Sequence, residues 1–326
     1  MIQARSLART FRTRTGPVAA VRDVDLDVDA GAIVGFLGPN GAGKTTTLRM
    51  LTTLLTPTSG TATVAGCDLL RDPVGVRRRI GYVAQGGVTY PQARAGEELV
   101  DQARLYGVAA REATSRGHAL FAQLDLDGLW ERTCGSLSGG QRRRLDIVMG
   151  LINRPVLIFL DEPTTGLDPQ SRANLWDHIR RLCDEFGTTV FLTTHYLEEA
   201  DALCDRVLVI DHGTIVAAGT PEQLKRQVSG DAVQLTLSSA ADAGEALLAA
   251  RRLDGAEHAV VEGSQVAVRV PHGGSALPGL LRDLDGRGIE LAAVEVRRPS
   301  LDDVFLAVTG RSLRESAGAS RNGTGA

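Results

Sequence analysis

The period of the apolar positions changes along the chain. Over residues 18–28 apolar and polar side chains alternate, as in a half-exposed antiparallel strand. Residues 33–37 form a short apolar stretch bounded by glycines, and a helical pattern follows over 45–55. Further short apolar runs at 80–84, 156–160, 189–193 and 207–210 read as buried strands, with a helix over 170–186 between two of them. Alternating strand and helix predicts a mainly parallel sheet covered by helices, an α/β core. Between about 96 and 150 the pattern turns helical, with helices at 97–106, 110–124 and 139–151, so a helical insertion interrupts that core.

After residue 227 the composition shifts, and 227–231 reads as a linker. The order then runs strand 232–237, helix 241–252, strands 256–262 and 265–270, helix 275–287, strand 290–296. This β-α-β-β-α-β order predicts a small α+β, ferredoxin-like unit, followed by a last helix over 301–309. The Ser-, Gly-, Ala- and Asn-containing stretch 311–326 predicts a disordered tail. The expected domains are therefore 1–227, with a helical subdomain over about 88–150, then 228–310 and the tail.

Composition narrows the function. The 326 residues are 43% hydrophobic, enough for a large and a smaller core, and the net charge of −3 argues against a nucleic-acid partner. Cys67, Cys134, Cys183 and Cys204 form no C-x-x-C pair, which argues for buried reduced thiols in a cytoplasm and against zinc. No signal peptide is read at the start, and the longest aliphatic or aromatic run is far too short to span a bilayer. Direct membrane insertion is not expected, and a membrane role would need a partner.

Candidate chemistry begins at Gly38-Pro39-Asn40-Gly41-Ala42-Gly43-Lys44-Thr45, between a predicted strand and a predicted helix. Glycines 38, 41 and 43 let successive N–H groups turn inward on phosphates, and the helix start adds its positive end. Lys44, one of two lysines in the chain, should reach the β- and γ-phosphates of ATP. Thr45 should hold Mg²⁺ through its hydroxyl, and Thr46 should bind the α-phosphate. Asp161 and Glu162 end a buried strand, where one carboxylate can hold Mg²⁺ and the next can polarise a water. Leu137-Ser138-Gly139-Gly140-Gln141 opens a helix, with Ser138 as N-cap and exposed N–H groups that could face an anion. Each of these has an ordinary structural reading in isolation: a strand end, a capped helix.

In this order and spacing, the motifs resemble an ATP-binding cassette (ABC) transporter nucleotide-binding subunit, over about residues 2–225. The resemblance implies a P-loop ABC ATPase core with antiparallel β and helical subdomains. It implies a homodimer with two ATP molecules sandwiched, in which Ser138, Gly139, Gly140 and Gln141 act on the ATP of the other subunit. Gln85 matches the glutamine that senses Mg²⁺ and the attacking water. Asp168 matches the loop that crosses the dimer interface, His195 the switch histidine on the γ-phosphate, and Phe11 the position of an aromatic ring on adenine, where tyrosine is more usual. Glu162, His195 and Lys44 are then the catalytic set, and Thr45, Gln85 and Asp161 the Mg²⁺ set. Residues 85–106 would carry the groove for a helix of an integral membrane permease, which places the chain on the cytoplasmic face of the membrane.

The segment Arg298-Pro-Ser-Leu301-Asp302-Asp303-Val304-Phe305-Leu306 is similar to the ending of daunorubicin-resistance-type drug exporters of the ABC-2 group. The same residues also suit an amphipathic helix packing on its own domain. The resulting expectation is the ATPase of a drug or natural-product exporter conferring self-resistance. Alternatives are a lipid or polysaccharide export ATPase, a soluble ABC ATPase acting on ribosomes or DNA, and a regulatory module with little turnover, against which Glu162 argues.

Overall fold

Three aromatic rings mark the centre of the larger unit of the computed structural model. Phe191 lies 5.6 Å from Phe36 on one side and 5.6 Å from Phe159 on the other. They project from three neighbouring strands, Ile33–Leu37, Thr189–Thr194 and Leu157–Asp161, each buried along its whole length. Strands buried on both faces are the parallel-sheet pattern. The six-stranded sheet runs Thr214–Gly219, Arg206–Asp211, Ile33–Leu37, Thr189–Thr194, Leu157–Asp161, Ile80–Val83. Its first strand is an antiparallel edge, and the other five are parallel. The structure describes residues 1–14, 16–87, 89–228 and 230–310, and the tail expected over 311–326 lies outside them.

A second, antiparallel sheet runs Gly16–Val28, Ile2–Thr13, Ser59–Val64, Cys67–Asp68. Its apolar positions, among them Ile2, Leu7, Val24, Leu26 and Val64, join Phe36 and Phe159 in one core. The helical insertion comprises Ala95–Leu105, Ala110–Gln123 and, after an irregular stretch, Gly139–Leu151. Trp130 wedges into it. A Cβ on Gly96 would sit 2.2 Å from the Trp130 ring, and one on Gly117 2.7 Å, so both positions exclude any side chain.

The chain divides into two compact units at Pro221/Glu222, so most of the helix Pro221–Gln227 goes with the second unit rather than closing the first. The sheet of the second unit runs Glu257–Glu262, Gln265–Val270, Asp231–Leu237, Leu291–Arg297, antiparallel throughout. Helices Ala243–Ala250 and Gly273–Gly286 pack their Ala246, Ala249, Leu280 and Leu284 on Val233, Leu235, Val266 and Val268. This strand order follows from β-α-β-β-α-β wound in ferredoxin-like fashion. Helix Leu301–Thr309 buries Leu301, Val304 and Phe305. Its Ser300–Asp303 capping box is tied to Arg269, which alternates along its strand with the inward Val268 and Val270.

Two helices are shorter than expected. The helix read over 45–55 stops at Leu51, where the Thr52 hydroxyl donates back to Leu48 O and Thr53 turns to φ +64°. The helix read over 241–252 is a 3₁₀ turn, Ala240–Asp242, leading into Ala243–Ala250.

Candidate nucleotide site

The loop between strand Ile33–Leu37 and helix Lys44–Leu51 is shaped by what surrounds it. A Cβ on Gly38 would sit 2.3 Å from Ile210 O, and one on Gly43 2.6 Å from Ala20 O, with Gly43 at φ +108°. Neither backbone neighbour can yield, so only glycine fits. Asn40, Gly41, Gly43, Lys44, Thr45 and Thr46 line a cavity of about 520 Å³ together with Ala20, Gln85, Glu162, Thr165, His195 and Tyr196. Pro39 and Ala42 complete the loop; Ala42 N donates to Pro39 O.

Lys44, 4% exposed, donates from Nζ to Gly38 O at 2.8 Å and Pro39 O at 3.1 Å, with Glu162 Oε1 at 3.4 Å. Burial lowers its pKa, opposed by the Glu162 charge. Glu162 accepts from Gln85 Nε2 at 2.8 Å and from Thr165 Oγ1 at 3.2 Å on its Oε2. His195 Nδ1 stands 3.2 Å from Oε1, within ion-pair distance. Burial would raise the Glu162 pKa, yet the His195 contact and the Lys44 charge outweigh it and hold the carboxyl at about 2. Glu162 is thus ionised, at the junction of a cation, an amide and an imidazole.

Asp161 is buried beside it. Its Oδ1 accepts from Thr45 Oγ1 at 3.2 Å and Thr193 Oγ1 at 2.6 Å. Among the described residues no three His, Cys, Asp or Glu side chains form a metal cage. A hydroxyl and one carboxylate facing a phosphate loop still fit Mg²⁺, which keeps waters and phosphate oxygens as ligands and needs few from protein. The donors are hard oxygens, as that ion prefers.

The remaining expected site residues lie elsewhere in the chain. Ser138 caps helix Gly139–Leu151 in a reciprocal box: Gln141 N donates to Ser138 Oγ at 3.2 Å, and Ser138 N donates to Gln141 Oε1 at 3.0 Å. A Cβ on Gly140 would sit 3.2 Å from Ser171 Oγ, and one on Gly139 3.9 Å from Leu167, so this turn adjoins the start of helix Pro169–Phe186. Asp168 caps that helix and is fully exposed, accepting from Ser171 Oγ at 2.6 Å, a bond that lowers its pKa. None of Ser138, Gly139, Gly140, Gln141 or Asp168 lines the cavity. Phe11 does not line it either; its half-buried ring lies 4.8 Å beneath the Arg9 guanidinium.

The structure adds residues that sequence reasoning passed over. Thr165 and Thr193 bind the two carboxylates, and Tyr196 lies beside His195 under the Arg172 guanidinium. Thr165 had a readable signal, a hydroxyl three residues after Glu162. Thr193 is reached only across the sheet.

The profile described as "ABC transporter" matches residues 21–165, and that of "ATP-binding protein DrrA1-3-like, C-terminal domain" matches residues 219–309. The chain is 42% identical over 304 residues to the daunorubicin resistance ATP-binding protein DrrA2 of Streptomyces coeruleorubidus, covering 93% of this chain and 94% of that protein. It belongs to the DrrA-type ABC ATP-binding proteins. A second DrrA-type relative, the doxorubicin resistance ATP-binding protein DrrA of Mycobacterium tuberculosis (strain ATCC 25618 / H37Rv), is 41% identical over 90% of this chain and 89% of its own. Among solved structures, a dimeric bacterial ABC transporter cassette is 25% identical with a TM-score of 0.62, covering 68% of this chain and 98% of that one. The relatives are named as ATP-binding proteins, and with the ABC transporter match this chain is the ATPase subunit of an ABC exporter. Cassettes of this family work as dimers with a membrane permease. No helix among the described residues is itself long and apolar enough to cross a membrane.

Proposed function

We propose that the chain powers efflux of a drug or natural product through a separate permease, by hydrolysing two ATP molecules held between two copies of itself. The observation that carries the hydrolytic reading is the convergence of Lys44, Gln85 and His195 on one ionised carboxylate, Glu162. Lys44 and the loop N–H groups bind the β- and γ-phosphates, with His195 at the terminal phosphoryl group. Gln85 and Glu162, already hydrogen-bonded to each other, hold the attacking water, and Glu162 accepts its proton. Thr45, Asp161 and Gln85 would hold Mg²⁺, which would supply positive charge beside the phosphates. Phe11 is assigned to the adenine side.

The helix start at Ser138–Gln141 presents N–H groups without reaching its own chain's cavity, which supports service to the partner's ATP. Binding then closes the dimer and hydrolysis reopens it, a two-state element driven by ligand. Within residues 85–106, Tyr90, Leu105 and Tyr106 are exposed apolar groups suited to a permease helix. The chain would thus sit on the cytoplasmic face of the membrane, bound through the permease, with no nucleic-acid partner. The drug cargo is inferred from relatives named for daunorubicin and doxorubicin resistance.

The test is capture of tagged Glu162→Gln from mildly solubilised native membranes with ATP. Co-purification of a polytopic membrane protein, whose deletion removes drug efflux, is the expected result. Capture of ribosomes, nucleic acid or only soluble proteins would overturn the exporter reading.

A further inference from the structure

Arg142, Arg143 and Arg144 are consecutive on helix Gly139–Leu151, and Arg143 is the one that is buried, at 7% exposure. A buried guanidinium needs acceptors for its planar fork of donors. Arg143 donates from Nη1 to Ala84 O at 2.7 Å, from Nη2 to Asp161 O at 3.0 Å and from Nε to Pro163 O at 2.8 Å. These three carbonyls are not a random set. Ala84 immediately precedes Gln85, while Asp161 and Pro163 flank Glu162. One side chain therefore grips both backbone segments that carry the hydrogen-bonded Gln85–Glu162 pair.

Two further observations point the same way. Glu162 has φ +45°, the left-handed region that a non-glycine residue holds only when its surroundings fix it. Arg143 binds the carbonyls on either side of it, and Thr193 O and Oγ1 accept from its N–H at 3.2 and 3.0 Å. One turn along the helix, Asp146 Oδ2 is 3.9 Å from Arg143 Nη1 and would be 2.9 Å from a Cβ on Gly87, two residues after Gln85. The helix thus bonds the segment before Gln85 and packs closely against the one after it.

We propose that Arg143 is a positioning residue for hydrolysis, coupling the helix that begins at Ser138 to the placement of Gln85 and Glu162. A shift of that helix carries the guanidinium with it, and the three carbonyls pass the displacement to the pair that holds the water. Hydrolytic competence thereby depends on where the signature helix lies. The inference rests on the assignment of Gln85 and Glu162 to the attacking water.

The test compares ATP hydrolysis by the full chain in Arg143→Lys and in Arg143→Met/Asp146→Leu, with Glu162→Gln alongside. Lysine keeps the charge and loses the fork. The double variant removes both buried charges, so neither is left unpaired. Each should lower kcat by about tenfold or more while KM for ATP moves less than about threefold, the pattern of an interaction used after binding. The double variant should do so while still unfolding cooperatively, at a melting temperature lowered by the loss of three donors to the carbonyls. A kcat within about twofold of the parent in the folded Arg143→Lys or double variant would overturn the proposal, since a lost transition-state interaction lowers kcat. Failure of both variants to fold would likewise assign Arg143 to structural support alone. If Glu162→Gln itself turns over normally, the underlying site assignment fails; if only the Arg143 variants do, the failure is of this inference alone.

Discussion

Lys44 Nζ lies 3.4 Å from Glu162 Oε1, with both side chains nearly closed to solvent. In the proposed site the phosphates of ATP and the Glu162 carboxylate would compete for one ammonium. A carboxyl held at about 2 is a weak base. If, as proposed, phosphate oxygens take Lys44, Glu162 would lose a cation and become a stronger acceptor for a water proton. Occupation of the loop would then ready the neighbouring base.

Lys44→Met should lower phosphate release by about a hundredfold or more, since it removes the charge aimed at the transferring group. Turnover is read by phosphate release under saturating ATP. Turnover near that of the parent would contradict the assignment of Lys44.

The Glu162 pKa in the fold, about 2, lies below its ordinary value of 4.5. A depressed acid favours the folded state above the ordinary value and loses that contribution as pH falls through the folded one. Stability should therefore fall between pH 4.5 and about 2, by an upper bound of roughly 3 kcal/mol, less after solvent screening. Thermal unfolding of Glu162→Gln should show a shallower fall over that window than the parent. Equal slopes would mean that Lys44 and His195 do not stabilise the ionised carboxylate.

Gly43→Ala and Gly31→Ala separate two costs of a left-handed backbone. Both positions have positive φ, but a Cβ on Gly43 meets Ala20 O, while one on Gly31 meets nothing within 4 Å. Gly31→Ala should lose about 1 kcal/mol in denaturant unfolding and keep nucleotide affinity. Gly43→Ala should lose roughly 1–3 kcal/mol and bind ATP poorly, because the loop must shift. Equal effects would contradict the steric account of the loop.

The motifs and the central strands were legible because both are local in sequence. Strands 33–37, 157–161 and 189–194 are buried on both faces and mainly apolar, with no solvent-facing residue to blur them. Strand Ile2–Thr13 is hard to read because the alternation that holds over Ile2–Arg5 slips at Ser6, where the backbone takes φ +49° and the pairing shifts register between Ala4 and Leu7. Arg143 was illegible because nothing in Arg142-Arg143-Arg144 distinguishes the middle member. Only the packing of residues 84, 161 and 163 around it does. Phe11 is named by the family resemblance alone: its ring lies under Arg9 and is not part of the cavity lining, and its assignment to adenine stays a proposal.

In the proposed dimer each ATP is served by the phosphate loop of one chain and the Ser138–Gln141 helix start of the other. Mixing Lys44→Ala with Ser138→Arg tests it most directly. Each variant alone should be inactive, because every site in its dimer has one damaged half. In a mixed dimer one site joins the intact Lys44 of one chain to the intact Ser138 of the other. Random pairing should then restore roughly a quarter of parental turnover, since about half the dimers are mixed and each carries one sound site. A mixture that stays at the background of the separate variants would contradict the shared-site account.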